Sequence, residues 1–229
     1  MDWGTLHLST SAGTLPPAVW ADIVVNRILV VAMLAAALLV LKDYLRLWPL
    51  LAGCLVRSRG NIEIEHSLGM ARSRNRCGLV GMGMLALLAN RYGLYPAAFM
   101  NGLALGVRTA VLLGILAAWL IMRAVMAALF RRGKLDSEAC AAASRALWNY
   151  FLAVLPLMLL SVAVFWLFHV VDDTARIVLW AELFVVLAFT LFREGQILRG
   201  KYFVLQTFLY LCGLELIPLA TIIIVAAVL

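Results

Sequence analysis

Charge is what this sequence has least of. Asp, Glu, Lys and Arg make up 14% of its 229 residues and hydrophobic residues 65%, whereas about a quarter of a soluble domain is charged. Such a chain cannot cover its apolar surface with its own polar groups, which excludes a water-soluble globular domain and makes lipid the solvent for most of it. Cysteine and histidine are also sparse. Cys54, Cys77, Cys140 and Cys212, and His7, His66 and His169, are scattered without a CxxC or a His/Cys cluster. Neither a disulfide framework nor a zinc site is expected, and no other metal or cofactor is implied. His169 beside Asp172 and Asp173 reads as an exposed turn, and His66 beside Glu65 carries no more specific signal. The stretch MDWGTLHLSTSAGTLPPAVW has no Lys or Arg, so the basic leader of a secretory signal peptide is missing. GxSxG, HExxH, a P-loop and acids paired at a useful spacing are missing too. No period recurs, and the halves share no broken-helix pattern, so an inverted-repeat transporter is not indicated.

What the sequence does have is long apolar runs. A hydrocarbon core of about 30 Å needs about 20 apolar residues in a helix. Six segments qualify: 23–41, 77–97, 103–130, 148–170, 177–192 and 202–228. The second is interrupted by Asn90-Arg91, and the following Gly93, Pro96 and Gly102 suit a helix end, an interfacial piece or a re-entrant turn. Residues 1–22 form an extracytoplasmic segment ahead of a single transmembrane domain, 23–229. Leu45–Val56 is too short to span and reads as an interfacial helix. Asn61–Glu65 alternates like a short strand or forms an irregular loop, and the Ala-rich Asp136–Arg145 favours helix. The expected fold is all-α: a polytopic membrane helix bundle of six transmembrane helices, with an interfacial helix after the first.

The net charge of +7 is gathered in short segments, the pattern of membrane topology and not of a nucleic-acid face. The loops at 42–76, 123–145 and 193–201 carry fifteen of the nineteen Lys and Arg; Arg27, Arg91, Arg108 and Arg176 are left for the other side. The positive-inside rule places the first set in the cytoplasm and both termini outside. Trp20, Trp148, Tyr150, Trp166, Trp180 and Tyr202 fall near segment ends, where aromatic belts sit.

Within the apolar runs a few polar residues stand out. Glu215 is about 20 Å along its helix from both Tyr202 and Leu229, near mid-bilayer, where a carboxylate costs about 2.5–3.5 kcal/mol. Pro218 withdraws an N–H from the carbonyl of Leu214, and Gly213 permits close approach of another backbone. Helical spacing puts Phe208, Leu211, Cys212, Glu215, Leu219 and Ile222 on one inward face. Glu215 is either a titrating proton or ion site or a structural acid held by Arg108, Gln206 or Tyr210. Glu182 lies within the fifth segment. Arg108 and Arg123, near the two ends of the third, are placed to snorkel to opposite interfaces. Arg193, Glu194, Gln196, Arg199 and Lys201 form a cytoplasmic edge cluster. It reads as a tight turn with snorkelling charges, or as a dock for anionic lipid or an acidic partner. Asn149 and Tyr150, opening the fourth segment ahead of Pro156, are candidates for contacts between helices.

FRRGK, WNYF…LPL, LFREGQILR and LYLCGLELIPL together resemble an uncharacterised family of multi-pass inner-membrane proteins in Bacteroidota, a domain of unknown function. The likeness is specific over about the last hundred residues and rests on hydropathy before that. It falls on Asn149, Tyr150, Pro156, Arg193, Glu194, Arg199, Glu215 and Pro218, and implies a location without an activity. The leading expectation is a non-enzymatic component of a membrane protein assembly, with lipid and other membrane proteins or further copies of itself as partners. The alternatives are a small proton-coupled transporter or channel using Glu215, and a membrane enzyme acting on lipid through Arg193, Glu194 and Arg199.

Overall fold

A computed structural model describes residues 20, 22–56, 67–131, 137–199 and 202–228. Among these residues there is helix and no strand. The expected strand at 61–65, most of the N-terminal segment, His66 and Lys201 lie outside them. The long helices are α1 (Val24–Val56), α2 (Leu68–Tyr92), α4 (Leu105–Arg131), α5 (Ser137–Leu167) and α6 (Asp172–Arg199), with a four-residue α3 (Ala98–Asn101) between α2 and α4. The last long helix is in three parts: α7 (Val204–Leu211), a π-helical turn (Cys212–Leu216) and α8 (Ile217–Val228).

Contacts at the helix ends define the path of the chain. At one end, Arg91 at the close of α2 meets Asp172 at the start of α6, Asn90 donates to Thr109 near the start of α4, and Gly106 packs on Val25 at the start of α1. Tyr92 meets Phe165 near the end of α5 edge-on, and the Tyr95 hydroxyl donates to the carbonyl of Ile222 in α8. At the other end, Arg193 donates to the carbonyl of Leu55, and Trp148 lies on Gly78. Each long helix therefore runs opposite to the one before it. All the described cations outside the first end's Arg27, Arg91, Arg108 and Arg176 belong to the second half of the bundle's length or its rim.

Five helical stretches are long and apolar enough to cross a membrane: Val24–Leu55, Gly106–Leu129, Ala143–Leu167, Asp172–Arg199 and Val204–Ala226. α2 is as long but carries Arg72, Arg74, Asn75, Arg76, Asn90 and Arg91, and falls outside that set. Its surroundings explain how it lies lengthwise among apolar helices. It packs against α1, α4, α5 and α6, so protein and not lipid covers most of its length. Its glycines set the spacing. A Cβ at Gly78 would stand 2.5 Å from the Trp148 ring and one at Gly83 2.5 Å from the Met33 sulfur, while Gly81 faces Phe151 and Leu155. Small residues of this kind let helices approach closely in a bilayer.

Three expectations need correction. Leu45–Val56 is not a separate interfacial helix: α1 continues through Pro49 to Val56. Leu47, Leu51 and Cys54, at helical spacing, bury one stripe against α2 and α5, and the Tyr44 hydroxyl donates to the carbonyl of Leu152. The second segment begins earlier and ends at Tyr92, where Gly93 at φ 60° caps the helix in the left-handed conformation that glycine adopts without penalty. The stretch at 193–199 is helix, not a turn, because α6 runs on to Arg199.

Candidate functional site: a buried Arg-Glu-Glu triad

Glu215 lies on the π-helical turn, and the proline after it accounts for that turn. Pro218 has no N–H to give the carbonyl of Leu214, and in a regular helix its ring would press on that carbonyl. Widening by one residue moves the carbonyl aside, and the Ile217 N–H bonds to the carbonyl of Cys212, five residues back. The wider turn brings Gly213, Leu214 and Glu215 inward together. It also changes the register. The buried residues of the last helix are Thr207, Tyr210, Gly213, Leu214, Glu215 and Pro218, whereas Phe208 is exposed and Leu211, Cys212, Leu219 and Ile222 are half-buried. The face expected from uniform helical spacing is corrected by that extra residue.

The partner of Glu215 is Arg123 of α4. Its Nε donates to Glu215 Oε1 at 2.8 Å, and its Nη2 donates to the same oxygen. Nη2 also reaches Glu194 Oε1 of α6 at 3.4 Å. Arg123 is 4% exposed, Glu194 0% and Glu215 1%, so one cation and two acids from three helices meet out of contact with solvent or lipid. Arg123 was expected to snorkel. It lies eight residues, about 12 Å, from the end of α4, and turns inward because two carboxylates wait there. Glu194 was expected in a charged edge cluster. It belongs instead to the buried stripe Ala175, Leu179, Val186, Thr190, Glu194 and Leu198. That period in the sequence was the available sign of its inward position.

An apolar layer covers the triad toward the basic end. Ala127 lies one turn beyond Arg123 and Leu198 one turn beyond Glu194. They pack with Ala143, Tyr210 and Leu214 into one cluster. Guanidinium and carboxylate thus face each other in a low-dielectric pocket, where a charge-assisted, forked contact is strong and losing either partner is costly. Glu194 Oε2 and Glu215 Oε2 are buried and accept from no N–H or hydroxyl among the described residues, and the two carboxyls lie within hydrogen-bonding reach of one another.

The other singled-out residues lie apart from the triad. Arg108 is at the opposite end of α4, donating to the carbonyls of Leu103 and Asn101; it is not the partner of Glu215. Gln206 is exposed. Glu182 accepts from the Ser161 hydroxyl and so ties α6 to α5. Arg193 donates to Gln196 at 2.9 Å, stacks over Phe189 and reaches Leu55 of α1, while Arg199 is exposed. The expected edge cluster is thus divided among an inward acid, a link between helices and an exposed cation. Asn149 and Tyr150 are both 1% exposed, and Tyr150 meets Phe189 of α6 edge-on at 5.1 Å.

Long apolar helices around a buried cluster of one arginine and two glutamates define an all-helical protein of membrane type. Residues 76–226 match the model of the domain of unknown function DUF4271, and the chain belongs to that family. The matched region runs from within α2 into α8 and contains the whole triad. No curated protein and no solved structure matches.

Proposed function

We propose that this protein is a non-enzymatic integral component of a membrane protein assembly in the bacterial inner membrane. In this reading α2 joins the five apolar helices as a sixth crossing, with both termini outside and the basic loops in the cytoplasm. The observation that carries it is the pairing of the intramembrane acid Glu215 with a buried arginine. Glu215 is held by Arg123 beneath an apolar layer, which is the arrangement of an ionic clamp joining α4, α6 and the last helix. The distribution of ion pairs supports the orientation. At the first end Arg27 pairs with Asp22, Arg91 with Asp172 and Arg176 with Asp173, leaving the net positive charge at the other. The exposed apolar side chains of α1, from Val24 through Ile28, Val31, Leu34 and Leu38, offer a face to neighbouring membrane proteins. In-cell crosslinking followed by purification in mild detergent is expected to recover the chain with protein partners. Recovery as a lone monomer under both conditions refutes the proposal.

A second reading, a small proton-coupled transporter or channel using Glu215, is favoured by one observation: the carboxyls of Glu194 and Glu215 lie buried within hydrogen-bonding reach of one another. It requires proton flux in liposomes that a Glu215→Gln chain has lost. Equal flux with and without the wild-type protein rejects it.

A further inference from the structure

The buried triad has one cation for two acids. Among the described residues, Arg123 is the only cation that pairs with Glu194 or Glu215, and all three side chains are buried. The acids are met by Arg123 from α4 and by each other, from α6 and the last helix. The covering layer brings Ala143 from α5 and one titratable group, Tyr210, against which Tyr202 packs; neither tyrosine adds positive charge. With both carboxyls ionised, the pocket would hold an unbalanced negative charge out of reach of water. Such a charge is costly, and two carboxylates sharing a site do not both ionise.

The geometry also indicates which acid is the counter-ion. Arg123 gives Glu215 Oε1 two donors, Nε at 2.8 Å and Nη2. It gives Glu194 only the longer Nη2 contact, at 3.4 Å. A forked, charge-assisted contact is made to a carboxylate, which assigns the negative charge to Glu215. The second oxygen of each acid accepts from no N–H or hydroxyl among the described residues, yet the two carboxyls lie within hydrogen-bonding reach of one another. Two bare carboxylates repel at that range, and an O–H on one of them supplies the donor that the pair lacks. We propose that the triad binds one proton, held as the carboxylic acid of Glu194 and donated in a hydrogen bond to the carboxylate of Glu215. The clamp is then neutral: a guanidinium, a carboxylate and a carboxylic acid. The proton is a resident of the folded state and requires neither flux nor a partner protein.

The test uses the full chain, purified in a neutral detergent and exchanged into deuterium oxide, with infrared difference spectra and thermal unfolding as readouts. At neutral pH, the wild type minus Glu194→Gln spectrum is expected to show the C=O stretch of a carboxylic acid. The amide introduced by Glu194→Gln can donate to Glu215 in place of the acid, so its unfolding temperature at neutral pH is expected to match that of the wild type. A folded state that holds a proton released on unfolding loses stability as pH rises. The wild-type unfolding temperature is therefore expected to fall from neutral to alkaline pH together with the acid band, and that of Glu194→Gln to fall less. Glu215→Gln leaves Glu194 as the counter-ion of Arg123 and is expected to abolish the band as well, which carries the result if Glu194→Gln does not fold. No acid band in either difference spectrum, or the same loss of stability with pH in wild type and Glu194→Gln, overturns the proposal. Absence of the band together with a stability that rises with sodium or potassium but not with choline assigns the balancing charge to a metal cation and overturns the proton.

Discussion

Arg123 holds two acids from two other helices, and its removal leaves both buried without a cation. Arg123→Ala is expected to cost about 3–5 kcal/mol, read as a lower midpoint in thermal or denaturant unfolding of the detergent-solubilised protein. Arg123→Lys should recover only part of this, because a single ammonium cannot reproduce the fork that reaches Glu215 through Nε and Nη2. Arg199→Ala, at an exposed site, should stay within about 0.5 kcal/mol of wild type. The anomaly of Glu215 was plain in the sequence, since an acid in an apolar run always asks for a partner. The identity of that partner was not. An arginine two turns inside a basic helix end has a good alternative in snorkelling, and only the meeting of three helices decides between the two. Glu194 was hidden in a run of charges for the same reason: its neighbours Arg193 and Arg199 do face outward or sideways, and adjacent helical residues point in different directions.

Gly78 and Gly83 of α2 make opposite demands to Gly114 of α4. Gly78→Ala and Gly83→Ala each place a methyl 2.5 Å from a neighbouring side chain, and each is expected to destabilise by about 1–3 kcal/mol. Gly114→Ala meets nothing within 4 Å and should stabilise by about 0.5–1 kcal/mol through helix propensity, measured in the same unfolding assay. Apolar runs made α4 and the last helix legible within a turn and α6 within two, because lipid-facing helices must announce themselves by hydropathy, whereas α5 starts three turns before its apolar run. The ends were less legible. Asp172 and Asp173 start α6 earlier than its apolar run does, favoured by the positive end of the helix. The continuation of α1 through Pro49 depended on a stripe of Leu47, Leu51 and Cys54 finding α2 and α5 to pack on. The π-turn was signalled by Pro218, but its effect on which residues face inward was not, since a uniform period of 3.6 has no room for an extra residue.

The whole molecule sorts its charge along its length. Among the described residues, Arg27, Arg91 and Arg176 each pair with an aspartate at one end, and at the other, where Arg76 pairs with Asp43, cations outnumber acids. The six-crossing proposal then predicts that tags at Met1 and Leu229 both react with membrane-impermeant reagents from outside the cell, and that a cysteine introduced at Arg199 reacts only from inside. Tags on opposite faces would overturn the topology. The five apolar stretches were visible from composition alone, whereas the sixth depends on company. α2 is too polar to favour the bilayer on its own, and it is sheltered by α1, α4, α5 and α6. On the six-crossing proposal, its entry during synthesis waits for α4, α5 and α6, which have not yet left the ribosome. A nascent chain stopped after Tyr92 should leave α2 on the cytoplasmic side of the translocation machinery, and one extended past Arg131 should draw it across, a difference that glycosylation mapping in microsomes reads directly.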